Sequence, residues 1–405
     1  MDLVRPRVTP AMADYPGILT YHDVLVVPFD SLYGKKVHQG GPIWPDWDDP
    51  SPARFYRESG PADDRPAEVE AEAHIDATNA FWIGPLYHHF GHMLLEILTR
   101  VAPSVAANPQ AELVFAVFPG SLQSFAEAPG WLRDMLEWHG VSPDRIRVID
   151  RPVRFSRLHV APQPERAGFD DPPPPHPAYL DDLTSLAHRR LGTIRREGAL
   201  FVSRSSFLNG LVGEAYLDEV FAQAGVSVIH PEEMTFVDQL RAYAEHETLI
   251  FSEGSALHGF QQLGRHGGEG VVLKRRPAVD AGHVVCPPRF RRFEFVEATR
   301  TRAVELKKGC IRNHAGGLSF LDVPVLFQGM RSFGIDLEPH WNQERFERVS
   351  SRQVLRWLST SMVRGLAGCP SQAPRLAAAL HEVGMPGALG WAMRAAHWST
   401  KRLLR

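Results

Sequence analysis

One helical turn separates an imidazole from a carboxylate in the stretch FWIGPLYHHFGHMLLEILTR, residues 81–100, where His88, His89, His92 and Glu96 interrupt an otherwise apolar run. Side chains four residues apart stack on one helical face, so His92 and Glu96 can act as a unit and His88 extends their stripe. An imidazole exchanges protons near neutral pH, and a carboxylate beside it orients the ring and stabilises its charged form. Met93, Leu94, Leu95, Ile97 and Leu98 would bury such a helix and hold the polar row still. A core helix carrying one or two hydrogen-bonded histidines fits the same pattern, so this segment alone leaves both readings open.

A second block, Glu253-Gly254-Ser255-Ala256-Leu257-His258-Gly259, follows the strand-like run TLIFS. A Gly-Ser pair that ends a parallel strand and opens a helix presents free backbone N–H groups and the positive end of a helix dipole, a seat for a diphosphate. Glycine at such a turn also answers purely steric needs. A nucleophile elbow is excluded, since no G-x-S-x-G surrounds Ser255. His258, one turn further on, can donate to a phosphate or simply pack. Arg204, ending the run ALFVSR, can grip phosphate oxygens through its fork of donors or form an internal ion pair. Asp46-Trp47-Asp48 has the form of a metal-binding D-x-D pair, but it lies in a proline-rich loop and reads as chance.

The elements that position these residues alternate. In the first half, residues 23–28, 74–83, 113–118, 145–150 and 155–161 read as strands, with helices over 85–100 and 131–139. In the second half, strands at 199–204, 226–230, 248–252 and 271–274 alternate with helices at 214–224 and from Thr235 onward, where Thr235 and Asp238 make a capping-box variant. Such alternation implies parallel sheets with right-handed crossovers. Residues 38–66 read as a surface excursion, and 161–177, with four successive prolines, as a linker. Residues beyond 300 read as mostly helical. The tail 385–405 mixes tryptophan and leucine with arginine and lysine, suiting either a membrane-surface helix or one that packs back on the protein.

Length and composition set bounds. The 405 residues suffice for two domains with full cores. Hydrophobic content of 44%, charged content of 22% and net charge −3 are those of an ordinary globular protein and give no nucleic-acid footprint. Three scattered cysteines, Cys286, Cys310 and Cys369, argue against a disulfide framework and a zinc cluster and suit a reducing cytosol. No apolar run has the length of a membrane span, and the N-terminus has no signal-peptide core.

Together the blocks resemble glycosyltransferase family 61. Its bacterial members carry a GHWLLE…R pattern, here Gly91-His92-Met93-Leu94-Leu95-Glu96 and Arg100. They also carry a strand ending in SR, here Phe201-Val202-Ser203-Arg204, then a Pro-Glu…Gln segment, here Pro231 to Gln239, and a Gly-containing turn, here Glu253 to His258. The resemblance implies an α/β, GT-B-like fold: two Rossmann-like domains facing across a cleft, with a helical C-terminal extension. The expected division is 1–177 (acceptor side), 178–300 (nucleotide-sugar side) and 301–405.

It further implies inverting transfer from a nucleotide sugar, usually UDP-linked, to a cell-surface polysaccharide or lipid-linked glycan acceptor. No metal cofactor is expected, and the expected location is the cytoplasm, with peripheral membrane contact through 385–405. In that scheme His92 is the base or its close partner, Glu96 orients it or serves as base itself, and His88 or His89 contacts the donor sugar or acceptor. Arg204, the N–H groups of Gly254, Ser255 and Ala256, and His258 hold the diphosphate. The chain departs from the family pattern in lacking the arginines that often follow SR, and in having Gly213 and Gly259 where asparagine is usual. It also carries Glu253, a carboxylate that would repel phosphate unless it turns away or binds a ribose hydroxyl. Two rival readings are a metal-dependent hydrolase using His88, His92 and Glu96, and a catalytically inactive nucleotide- or sugar-binding scaffold.

Overall fold

The computed structural model describes Tyr15 and residues 17–390 except 31–37, 48–50, 58–59, 167–171, 277–281, 308–310, 363–368, 383, 386 and 389. Asp48, Cys310 and all of the tail beyond 390 therefore lie outside the described residues, and with them most of the expected membrane-surface helix.

The chain is mixed α/β with two large, mainly parallel sheets. The first contains β1 (Leu19–Val27), β2 (Gly41–Pro42), β3 (Ala73–Ile75), β4 (Ala80–Pro85), β5 (Glu112–Ala116), β6 (Ile146–Ile149) and β7 (Val153–Val160). Their order is β6-β5-β4-β7-β1-β2, with β3 pairing β7. β4 is parallel to both β5 and β7, whereas β1 runs antiparallel to β7 and to β2. All six residues of β4 are buried, as a central parallel strand covered on both faces requires. The single strand expected over 74–83 is thus two short ones.

The second sheet is wholly parallel: β8 (Ala199–Val202), β9 (Ser227–Ile229), β10 (Thr248–Ser252), β11 (Glu269–Leu273) and β12 (Arg292–Val296), in the order β9-β8-β10-β11-β12. In chain order that is 2-1-3-4-5, a doubly wound arrangement whose switch point falls between β8 and β10. Thr235 caps the helix Phe236–Glu245 as expected, its Oγ1 accepting from Asp238 N at 3.1 Å. Gln239 of that helix is buried and donates to the Pro231 carbonyl at 2.8 Å.

Three expectations need correction. Residues beyond 300 do not begin helically: β13 (Thr299–Lys307) and β14 (Ile311–Leu321) form an antiparallel pair, followed by the helices Val323–Arg331, Gln343–Trp357 and Ala373–Glu382. Charges recur two apart at Arg300 and Arg302 and again at Glu305 and Lys307, the strand period, with a register shift between Ala303 and Glu305 separating the two pairs. The expected linker is also no free tether, because Gln163, Glu165 and Arg166 are buried, and Glu165 pairs with Arg289 at 2.7 Å with neither side chain exposed. Finally, Cys369 is disulfide-bonded while Cys286 is a free buried thiol, so the cysteines are not all unbridged. Spacing in sequence could not show this, since the fold packs Leu376 and Leu380 of the last helix against Ala303 and Leu306 of β13.

One continuous buried cluster joins the two sheets. It includes Phe115 of β5, Leu94 and Leu98 of the histidine-bearing helix, and Phe251, Leu257 and Phe260 from the second sheet and its following turn. The blocks singled out in the sequence lie on both sides of this junction. Among the described residues no helix is long and apolar enough to cross a membrane.

Candidate functional site

After β4 the chain runs through Leu86–His89 and enters a helix at Phe90, later than the expected 85 because Pro85 is still in the sheet and Leu86 N bonds to Ala116 O. The helix changes pitch twice: Phe90–His92 is α, Met93–Ile97 is π, Leu98–Arg100 is 3-10 and Val101–Ala107 is α again. A π turn in a helix is uncommon and often found at functional sites. Here it carries Glu96 into the interior, 6% exposed at its side chain, and leaves His92 at the surface, 41% exposed.

His92 Nδ1 lies 2.7 Å from Glu96 Oε1. The other oxygen, Oε2, accepts from Arg57 Nε at 2.5 Å. Burial alone would raise the Glu96 carboxyl, but the His92 hydrogen bond and the Arg57 charge outweigh it and hold the group below its usual range. Glu96 is therefore an anion and only accepts, which puts the proton of the neutral imidazole on Nδ1 and leaves Nε2 as the basic nitrogen. Arg57 Nη2 is 3.2 Å from the same Nδ1 and acts there as a neighbouring charge, since Nδ1 already donates to Glu96. With both oxygens occupied, Glu96 is suited to orient the ring rather than to take a proton from a substrate. Gln163 locks this arrangement, accepting from Tyr56 N at 2.7 Å and donating to Glu96 O at 2.7 Å.

His89 caps the helix, its Nδ1 facing His92 N at 3.5 Å. His88 is exposed, with Nδ1 3.0 Å from Ser121 Oγ. The Tyr87 ring contacts the rings of His88, His89 and His92. Burial lowers the His89 imidazole, and the nearby His92 and His88 lower it further.

The second half of the site sits at the switch point of the parallel sheet. Arg204 follows β8 and Gly254 follows β10, one on each side. Gly254 is extended, so it is glycine for space and not for backbone freedom: a Cβ there would lie 2.4 Å from Arg204 Cδ and Nε. Arg204 runs across this glycine, its guanidinium 5.0 Å from the ring of Phe207, and its Nη1 is buried with no hydrogen-bond partner. Ser255–Leu263 is a 3-10 helix, whose first N–H groups point out of its start as at any helix end. His258 is buried, its Nδ1 without a partner, and burial pushes its imidazole down to about 4 despite the opposing pull of Glu96.

The two halves touch. A Cβ on Gly91 would lie 3.1 Å from Ser255 Oγ and 3.5 Å from His258 Cδ2. The residue before His92 thus packs directly on the residue after Gly254, so the His92–Glu96 pair and the Arg204–Gly254 turn share one junction.

Glu253 turns away from this seat. Its carboxylate accepts from the backbone N–H groups of Arg275 and Arg276, at 2.8 and 3.0 Å, and pairs with the Arg276 guanidinium. Gly213 is glycine for two reasons: its φ is +85°, and a Cβ would lie 2.4 Å from the Phe346 ring of the helix Gln343–Trp357. Asp46 accepts from Tyr21 O–H at 2.9 Å, so it is engaged in the fold. Among the described residues no group of three or more His, Cys, Asp or Glu side chains is assembled that could hold a metal ion.

Sequence reasoning missed Arg57, Gln163, Arg275, Arg276 and Arg302. The run KRRP directly after the strand GVVL was a usable signal, as a cationic stretch at the C-terminal end of a parallel strand. Arg57 and Gln163 sit in segments with no periodic pattern.

Residues 90–260 match the model of the glycosyltransferase 61 family. The matched segment begins with the helix that carries His92 and ends inside the turn that follows Gly254. No curated protein matches the chain. The family match supports a glycosyltransferase, with a sugar donor and a glycan acceptor as its substrates.

Proposed function

We propose that the chain is an inverting glycosyltransferase of the GT-B kind, moving a sugar from a nucleotide sugar, UDP-linked in the simplest case, to a hydroxyl of a cell-surface glycan. The observation that carries this reading is the contact of Gly91 with Ser255, which sets the His92–Glu96 pair against the Arg204–Gly254 seat. An inverting transfer needs those two features side by side: a base for the incoming hydroxyl and positive charge for the leaving diphosphate.

In the proposed step the acceptor oxygen attacks the anomeric carbon from the face opposite the nucleotide. The acceptor proton passes to His92 Nε2 while the bond from the anomeric carbon to the diphosphate oxygen breaks. The nucleoside diphosphate leaves with the bonding electron pair, and the configuration inverts. Glu96 stabilises the imidazolium formed, and Arg204 with the N–H groups of Gly254, Ser255 and Ala256 receives the phosphate charge. His258, neutral at physiological pH, can donate a hydrogen bond but carries no charge there. His88 and His89, exposed at the helix entrance, face the sugars.

The metal-hydrolase reading is weakened by the pairing itself. His92 Nδ1 and Glu96 are bound to each other and to Arg57, and His88 Nδ1 faces Ser121. The scaffold reading loses its main support, because the arginines absent after Arg204 have spatial counterparts in Arg275 and Arg276.

The test is release of nucleoside diphosphate from a panel of nucleotide sugars with and without glycan acceptors. Wild-type protein is expected to turn over one donor and His92→Ala none, with the product of opposite anomeric configuration to the donor. Turnover by His92→Ala at the wild-type rate, or a product of retained configuration, would overturn the reading.

A further inference from the structure

We infer that Arg100 is a positioning residue, which rests on the transferase reading only for the reaction it serves. From the helical stretch that carries His92 and Glu96 it grips the backbone of residues 51–57, and so sets Arg57 against Glu96.

Arg100 ends the 3-10 segment Leu98–Arg100, four residues beyond Glu96, and is fully buried. Every hydrogen bond of its guanidinium goes to a backbone carbonyl. Nη1 donates to Ile83 O of β4 at 3.4 Å, and Nη2 donates to Ala53 O at 3.0 Å and to Arg54 O at 2.7 Å. Burial pulls this guanidinium down to about 10, so it keeps its charge at neutral pH. Asp63 faces it only as a neighbouring charge, since the Asp63 oxygens accept from Arg54 Nε at 3.1 Å and from Phe55 N at 3.0 Å. The backbone from Ala53 to Arg57 is thus fixed residue by residue. Arg100 holds the carbonyls of Ala53 and Arg54, Asp63 holds Phe55 N, Gln163 holds Tyr56 N, and the Arg57 side chain meets Glu96. Arg166, also buried, lies over the Tyr56 ring at 4.2 Å.

Apolar packing would suffice to hold this segment down, because Ala53, Phe55 and Tyr56 are all buried. A charge taken out of water, with its Nε left without a partner, is a costly addition to such packing. What it adds is placement. A rigid fork on two consecutive carbonyls fixes the course of the backbone, and three residues later Arg57 Nε must reach Glu96 Oε2 at 2.5 Å. His92 and Glu96 sit on the same helical stretch as Arg100, so their own pairing needs no such grip. Loss of Arg100 therefore takes Arg57 away from the pair and leaves the pair itself in place.

The experiment compares wild type, Arg100→Met, Arg57→Ala and the double variant by steady-state transfer and by peptide-resolved hydrogen exchange. Arg100→Met is expected to lower kcat about tenfold, as Arg57→Ala does, with KM for the donor unchanged. The double variant should stay within about twofold of Arg57→Ala alone, because both changes remove the same interaction. Exchange of the Phe55 and Tyr56 amides should quicken while that of Val101–Ala107 keeps its wild-type rate. If Arg100→Met does not fold, Arg100→Lys, which keeps the buried charge without the fork, takes its place with the same expectations. Losses that multiply in the double variant, a raised donor KM at unchanged kcat, or unaltered exchange at Phe55 and Tyr56 overturn the inference.

The two readouts separate this inference from the functional reading. Quickened exchange at Phe55 and Tyr56 in a protein that transfers from no nucleotide sugar defeats the transferase and leaves Arg100 as the anchor of residues 51–57. Transfer by wild type, with exchange at Phe55 and Tyr56 unaltered in the variant, does the reverse.

Discussion

Arg57 Nε lies 2.5 Å from Glu96 Oε2, the oxygen that His92 does not use. A loop that reads as a surface excursion therefore supplies the cation that faces the His92–Glu96 pair. After the His92 hydrogen bond, the Arg57 charge is the next influence that keeps Glu96 ionised, and its hydrogen bond helps fix the carboxylate against which the imidazole is aligned. Replacing Arg57 by Ala is expected to lower turnover about tenfold through misalignment of the base. It should also move the acid limb of the pH–rate profile upward. The sign follows from charge: Arg57 is one of the influences that lower the Glu96 carboxyl, so without it Glu96 protonates at higher pH. Arg57→Lys should recover much of the loss. A purely structural residue would lower the melting temperature and leave the limb in place.

Gly254→Ala tests the close approach at the anion seat. The new Cβ would stand 2.4 Å from the Arg204 stem, so Arg204 must leave its place over the turn. Donor affinity measured by calorimetry should fall at least tenfold, corresponding to about 1.4 kcal/mol. The melting temperature should change little, since the displaced atoms are those of a flexible side chain. Unchanged affinity would show that Arg204 does not touch the donor.

Buried histidines set the acid stability. Burial lowers His139, His258 and His266 to about 4, whereas an unfolded histidine titrates near 6.5. The unfolded chain therefore binds more protons between those values, and the stability these groups confer, full above pH 6.5, is lost as pH falls toward 4. Asp63, Glu165 and Glu214, raised by burial, act in the opposite sense, so the clean test isolates one group. His139, whose Nε2 meets Gln262 Oε1 at 2.8 Å, is suitable. Wild type should lose stability relative to His139→Gln by roughly 1.4 kcal/mol per pH unit between pH 6 and 4.5 in urea unfolding. Parallel pH dependences would show that His139 titrates normally.

The Glu165–Arg289 pair ties the segment after β7 to the second sheet with no exposure of either side chain. Arg289→Met leaves Glu165 buried without its cation and should cost about 3–5 kcal/mol in urea unfolding. Adding Glu165→Gln should recover part of it, because the stranded charge is then gone. A loss below ~1 kcal/mol for the single variant would mean that water or another donor reaches Glu165.

Much of this arrangement was legible in the amino-acid sequence. The alternation of apolar runs with amphipathic ones located β8, β10 and β11, and the spacing of His92 and Glu96 located the pair, because both depend on local periodicity. The parts that were not legible depend on long-range packing. Arg57 reaches Glu96 across 39 positions and Gln163 reaches it across 67, with no pattern in either segment to announce them. β12 was missed because RFEFV is short and half-charged. β13 does not read as a strand because its Arg, Thr and Glu residues come with few large apolar ones. The π turn at Met93–Ile97 left no mark in a sequence that reads as ordinary helix. Gly213 reads as a departure from the family pattern and is explained by its positive φ and by the approach of Phe346 from the helix Gln343–Trp357.

In the proposed mechanism a proton-accepting histidine and a nucleotide seat are adjacent but separable. Calorimetric titration with UDP, GDP, CDP and ADP of wild type, His92→Ala and Arg204→Gln tests it most directly. One nucleotide should bind wild type and His92→Ala with equal affinity and Arg204→Gln at least tenfold more weakly, while His92→Ala has lost sugar transfer by a factor on the order of 100 or more. Binding of none of the four, or an undiminished affinity in Arg204→Gln, would contradict the account.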